Sequence, residues 1–149
     1  MKNEVINELN TFLKGEHMAV NGYEKYIQKT DDKEIKQSLQ KIQQDHKQHA
    51  VKIAERIQNI GGQPANEVGV VGKMAGLMSK LKNINKKDTL SILKLAHDGE
   101  KNGINMAKEI VKGDLDQKSS NLINNIINDD QQHLSTLKNL MNKSKVYSQ

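Results

Sequence analysis

A chain of 149 residues with a net charge of +5, no cysteine, no Trp, three Tyr and one Phe is long enough to bury a core, and it has no thiol for a disulfide, a thiolate zinc site or a rubredoxin-like iron centre. Any metal must be held by nitrogen and oxygen. The charge rests almost wholly on lysine, since Arg56 is the one arginine, and the lysines are spread among Asp, Glu, Asn and Gln. Nucleic-acid readers lean on arginine clusters and stacking aromatics, so this balance reads as a solvated surface and disfavours DNA or RNA as a partner.

The amino terminus, Met1-Lys2-Asn3-Glu4, runs straight into an amphipathic pattern, and no apolar run reaches signal-peptide or membrane-spanning length. The expectation is a soluble cytoplasmic protein without membrane contact, folded as one domain over 1–149. Helical periodicity predicts four long helices: A over 3–29, B over 32–60, C over 87–112 and D over 116–143. Asp31 or Asp32 can cap B, Asp88 lies near the start of C, and Gly113 followed by Asp114 and Asp116 stops C and starts D. The A–B and C–D links are short, so each pair forms an antiparallel hairpin. The B–C link, opened by Gly61-Gly62 and Pro64, covers 61–86. A helix of nearly 30 residues is about 45 Å long, and a partly extended link of that size can run the length of the bundle. Within it, Met74, Leu77, Met78 and Leu81 are spaced for a short amphipathic helix that covers core surface.

Each long helix breaks its apolar stripe near the middle. In A the stripe Val5, Leu9, Phe12, Ala19, Tyr23, Tyr26 has Glu16 as its missing member. In B, His46 and His49 fill the centre of Ile35, Leu39, Ile42, Ile53, Ile57, Ile60. In C, Glu100 sits in the seam of Leu93, Ala96, Gly103, Ala107 and Ile110, and in D, Asp130 and His133 sit among Ile123, Ile126, Leu137 and Leu140. Helix midpoints coincide whichever way each helix points, so these six side chains should meet in one layer. Three carboxylates and three imidazoles buried together need compensation, and a divalent metal supplies it. His17, about 100° round the helix from Glu16, reads as surface or interface. His97 reads as a flank residue, and Asp129 and Asp31-Asp32 as solvent-facing or capping.

The halves also repeat. Glu16, His46 and His49 recur as Glu100, Asp130 and His133 at an offset of 84 residues, with Gly15 matching Gly99 and Asp45 matching Asp129. A twofold-related pair of hairpins brings two ligand sets face to face, which points to two adjacent metal ions.

An inward glutamate on A and C with a carboxylate-x-x-His pair on D resembles the di-iron site of the ferritin-like carboxylate proteins, bacterioferritins and rubrerythrins among them. The stretch Asp45-His46-Lys47-Gln48-His49-Ala50, continued by Glu55-Arg56-Ile57 and Gly62-Gln63-Pro64, is similar to the second helix of bacterioferritin. The resemblance implies an all-α, ferritin-like four-helix bundle with one long crossover between B and C. It implies that Glu16 and Glu100 are terminal ligands, that His49 and His133 each bind through a ring nitrogen, and that Asp130 bridges. Tyr23 stands where the family often has a site-adjacent tyrosine, the candidate catalytic side chain, and core packing accounts for it equally well.

Two departures matter. The family's bridging glutamate on B falls at His46, which leaves three carboxylates against two divalent ions; Asp45, one position away, could substitute for it by a small rotation. The family's haem methionine falls at Lys47, so haem is not expected. The tail of about six residues after D is too short for the fifth helix of bacterioferritin cages, which argues against a 24-subunit shell and leaves homo-oligomerisation open. The implied function is metal binding, most naturally two irons, with Fe(II) oxidised by oxygen or peroxide for iron handling or oxidative-stress protection, as in a ferroxidase or peroxidase-type oxidoreductase. Manganese suits the same ligands, and zinc would bind without redox consequence. The competing readings are a non-catalytic structural bundle with a degenerate site, marked by His46, and a DNA-associated mini-ferritin. The second is disfavoured because this chain supplies a complete ligand set from its own helices.

Overall fold

The computed structural model describes residues 2–67, 74–85 and 87–147. Its helices are α1 (Lys2–Lys29), α2 (Lys33–Asn59), α3 (Ala75–Lys82), α4 (Thr89–Val111) and α5 (Gln117–Tyr147). The expected boundaries of A, B and C hold to within two residues, whereas α5 continues past the expected end at 143 to Tyr147. The short crossover helix forms where Met74, Leu77, Met78 and Leu81 suggested it; the rest of that link at 68–73 and 86 lies outside the described residues. No helix among the described residues is long and apolar enough to cross a membrane.

Local chemistry sets the helix ends. The Asp32 carboxylate accepts from the Ile35 amide at 3.0 Å, and Asp88 accepts from the Ser91 amide at 3.1 Å, so each satisfies a backbone donor that the first helical turn leaves orphaned. Gly61, at φ 89°, turns the chain out of α2 while the Gly62 amide bonds back to the Ile57 carbonyl at 2.8 Å. That left-handed step is the one a glycine makes without steric cost. Asn10 on α1 then clamps the outgoing chain, accepting from the Ala65 amide at 2.8 Å and donating to the Gln63 carbonyl at 3.1 Å. His17 is half-buried rather than on the surface, because its Nε2 bonds to the Ala65 carbonyl at 3.0 Å.

The apolar core divides into two. One cluster joins the start of α1 (Val5, Leu9, Phe12), the end of α2 (Ile53, Ile57), the end of α4 (Ile104, Ala107) and the start of α5 (Ile123, Ile126). The other joins the end of α1 (Tyr23, Tyr26, Ile27), the start of α2 (Ile35, Leu39, Ile42), the start of α4 (Ile92, Leu93) and the later part of α5 (Leu137, Leu140). The two helices of each hairpin therefore run antiparallel, and α2 and α4 run in the same direction. Since α2 ends in the first cluster and α4 begins in the second, the link between them must traverse the bundle, and Leu81 of α3 packs into the second cluster. Across the seam between hairpins, Arg56 donates to Asp116 at 2.6 Å and to the buried Ser119 hydroxyl at 3.0 Å, fastening the end of α2 to the start of α5.

Leu39 is fully buried, so Leu39→Ala is expected to cost about 2–5 kcal/mol. Asp32→Ala, which deletes only a cap, is expected to cost about 1 kcal/mol. Urea unfolding followed by circular dichroism measures both.

Candidate metal centre

Between the two apolar clusters lies a polar layer. Glu16, His46, His49, Glu100, Asp130 and His133 are each 2–5% exposed, and all six expected side chains meet there. They form two overlapping sets with donor atoms within 4.8 Å of one another: Glu16, His46, His49, Asp130 and His46, Glu100, Asp130, His133. His46 and Asp130 belong to both sets. The 84-residue repeat thus reappears in space, with one glutamate and one histidine private to each half.

The hydrogen bonds fix how each ring is held. His49 Nε2 donates to Asp129 Oδ2 at 2.9 Å, and His133 Nε2 donates to Asp45 Oδ2 at 2.9 Å, each across the α2–α5 contact. A carboxylate only accepts, so Nε2 carries the proton in both rings and Nδ1 is turned inward. Four buried side-chain polar atoms among the described residues lack a hydrogen-bond partner, and three of them are His49 Nδ1, His133 Nδ1 and Asp130 Oδ1. These three face one another: Asp130 Oδ1 lies 3.7 Å from His49 Nδ1 and 3.3 Å from His133 Nδ1. Orphaned polar atoms at this depth are costly. Their convergence is the donor set a divalent cation requires, and the residues fit such an ion.

His46 is different. Its Nδ1 faces Glu16 Oε2 at 2.7 Å and its Nε2 faces Glu100 Oε1 at 2.5 Å, so with both carboxyls ionised the two bonds exist together only if the ring is an imidazolium donating from both nitrogens. Burial opposes that charge, but the two carboxylates outweigh it and hold the His46 pKa well above its usual value. Burial likewise disfavours the His133 cation, yet the Asp130 and Glu100 carboxylates lift its pKa to about 10. Glu100 resists desolvation because His133 and His46 both face it, and its pKa falls to about 2. Burial pushes Glu16 the other way, upward, against the pull of His46.

Tyr23 touches the layer directly. Its hydroxyl donates to Glu100 Oε1 at 2.7 Å, and its ring stacks on His46 with centroids 5.5 Å apart. Burial and the Glu100 charge push the hydroxyl well above its usual pKa, so it remains a proton donor. Asp45 and Asp129 were missed as partners. Asp45 lies outside both sets, and Asp129 is solvent-facing as expected, yet each orients the histidine of the opposite hairpin. The matched offset of the two aspartates was the available signal. His97 stays outside both sets.

The sequence model of a family described as "Domain of unknown function (DUF2383)" matches residues 4–113. The chain belongs to this family. No curated protein matches the DUF2383 chain in sequence. Solved structures do match in fold. A bacterioferritin from Desulfovibrio desulfuricans, described by its diiron site, is 26% identical at a TM-score of 0.77, over 97% of this chain and 81% of that one. A dodecameric thioferritin from Bacteroides fragilis is 19% identical at a TM-score of 0.80, over 99% and 90%. A two-domain protein from Anabaena variabilis with dj-1/thij/pfpi-like and ferritin-like domains is 20% identical at a TM-score of 0.79, and the DUF2383 chain, 97% covered, spans 38% of its length. The fold is ferritin-like, and the buried cluster of Glu, His and Asp fits a metal-binding member of it.

In protein stripped of metal, His133 contributes stability fully below its unfolded value of 6.5 and loses it as pH rises through about 10. Glu100 contributes fully above 4.5 and loses its part as pH falls through about 2. The urea midpoint of chelated protein should therefore be highest between pH 4.5 and 6.5 and fall toward pH 10. His133→Gln should flatten the alkaline limb.

Proposed function

We propose that this protein binds two iron ions in its central layer and oxidises Fe(II) with oxygen or peroxide, serving iron handling or oxidative-stress protection. The observation that carries the reading is the convergence of His49 Nδ1, His133 Nδ1 and Asp130 Oδ1, three buried atoms with no hydrogen-bond partner. Glu16 and His49 would serve one ion, Glu100 and His133 the other, and Asp130, common to both sets, would lie between them. Two adjacent irons supply one electron each, so a peroxide can be reduced by two electrons at one site.

The chain's own residues prepare that chemistry. Asp129 and Asp45 hold Nε2–H of His49 and His133, which fixes the tautomer and aims each Nδ1 inward. Tyr23 holds a proton 2.7 Å from Glu100 Oε1 and restrains that carboxylate. The apolar clusters above and below the layer shield it on those two sides and strengthen electrostatic attraction within it. Manganese would suit the same donors.

His46 supports a second reading. An imidazolium bonded to both Glu16 and Glu100 offsets part of the layer's charge with a proton, as a bundle with a single ion, or one that has lost turnover, would require.

Fe(II) titration under argon, followed by optical monitoring on admitting air, separates the two. Two irons per chain, oxidised promptly, are expected, with uptake lost in Glu100→Ala. Asp129→Ala, which touches no ion, should weaken binding roughly 10–100-fold. Stoichiometry of one or none, with Glu100→Ala indistinguishable from the parent, would favour the proton-closed layer.

A further inference from the structure

A cavity of about 510 Å³ opens between α1, α3 and α4, bordered by Phe12 of one apolar cluster and by Tyr23, Tyr26 and Ala96 of the other. Glu16, His46, Glu100 and Asp130 line it at one end; exposed Lys80, Asp98 and Asn102 also border it, so it connects the surface to the polar layer. Its walls are apolar, with Phe12 and Ala19 from α1, Leu77 from α3, and Ala96 and Met106 from α4. One water needs only about 10–15 Å³, so passage of oxygen, peroxide or a hydrated ion does not account for the size. Sites for organic ligands occupy about 300–1,000 Å³.

Among the glycines that border it, Gly15 packs against Met106, where a Cβ would meet Cε at 2.5 Å, whereas Gly99 and Gly103 are not forced by packing. A Cβ on Gly103 would meet nothing within 4 Å, and one on Gly99 would meet only the Tyr26 hydroxyl at 3.8 Å. Both stand in the interior of α4, where glycine is the poorest helix former after proline. What they leave is open space along the α1–α4 seam. Asp130, 4% exposed, borders the cavity as well as the polar layer, so the cavity reaches a buried carboxylate.

We infer that this cavity is a binding site for an uncharged, elongated, apolar organic molecule of the medium-chain alcohol or aryl class, lying between α1 and α4 with its inner end against the polar layer. The apolar walls offer no charge to pair with an ionic ligand, Glu16 and Glu100 are already bonded to His46, and Lys80 and Asp98 at the rim carry opposite charges. Methionine in the walls suits a ligand of variable shape, because the thioether repacks readily. The site stands on the cavity itself; only its meaning for turnover rests on the iron reading.

Gly103→Phe fills the space from a position where the added side chain clashes with nothing at Cβ, and it removes a helix-interior glycine. N-phenyl-1-naphthylamine, a neutral fluorophore, should bind the full chain saturably at one per chain and be displaced by 1-decanol. Gly103→Phe should bind it roughly tenfold more weakly or worse, with helicity and thermal midpoint kept. Lys101→Phe, on the exposed face of the same helix, should bind as the parent does. Gly99→Leu is a second blocking variant should Gly103→Phe unfold. Absence of saturable binding, or parental binding by both blocking variants, overturns the site. Iron titration on the same samples keeps the readings apart: Gly103→Phe that takes up iron but not the fluorophore supports the cavity, whereas fluorophore binding in a chain that takes up no iron sinks the iron proposal alone.

Discussion

Everything in this bundle is arranged around the cost of burying three carboxylates and three imidazoles in one plane. Glu16, His46, His49, Glu100, Asp130 and His133 are almost wholly shielded from water, and removing such groups from solvent costs several kcal/mol per unpaired charge. The chain meets that cost by alternating the signs of the groups and by splitting the apolar core into two clusters, one on each side of the layer. Each cluster takes residues from all four long helices, so the helices cannot slide along one another without pulling charged groups into an apolar half. The polar plane therefore fixes helix register, while the clusters supply the burial that holds the fold together.

The twofold repeat explains why the layer has two kinds of member. Glu16 with His49 and Glu100 with His133 are related by the 84-residue offset, whereas His46 and Asp130 occupy the corresponding shared position on opposite hairpins. One half places a histidine there and the other an aspartate, so the repeat keeps its 84-residue offset and is broken in charge. The break shows in the titration directions: Glu100, faced by two rings, is held near pKa 2, while burial dominates at Glu16 and raises it.

The layer and the bundle were legible in the sequence because they follow from position alone. A polar residue at the midpoint of each apolar stripe meets its counterparts whatever the topology, and stripes of period 3.6 with Asp32 and Asp88 at their starts mark helices without tertiary information. Partnerships across helices were marked only by the shared 84-residue offset of Asp45 and Asp129. Asp45 and Asp129 lie beside the stripes, and nothing local reveals that each reaches the histidine of the other hairpin; that depends on how closely α2 and α5 approach. His17 likewise looked external because its partner, the Ala65 carbonyl, belongs to a link whose path no periodicity encodes. The cavity was hidden for a related reason, since Gly103 counted as one more small residue in an apolar stripe and only the packed seam shows that nothing fills the room it leaves.

His46 decides how the layer behaves. With both nitrogens on carboxylates it acts as a cationic clasp between the two private glutamates, and any metal ion that takes Glu16 or Glu100 must compete with a proton there. A carboxyl at the same place could not donate to both glutamates and, when ionised, would add a negative charge to the layer. The histidine therefore couples metal occupancy to proton release at this ring. It also leaves the ring's face stacked on Tyr23, whose own proton is bonded to the same Glu100 oxygen that His46 contacts. Glu100 Oε1 is thus the atom on which the tyrosine and the histidine converge, and a cation bound there must displace or rearrange at least one of those two donors.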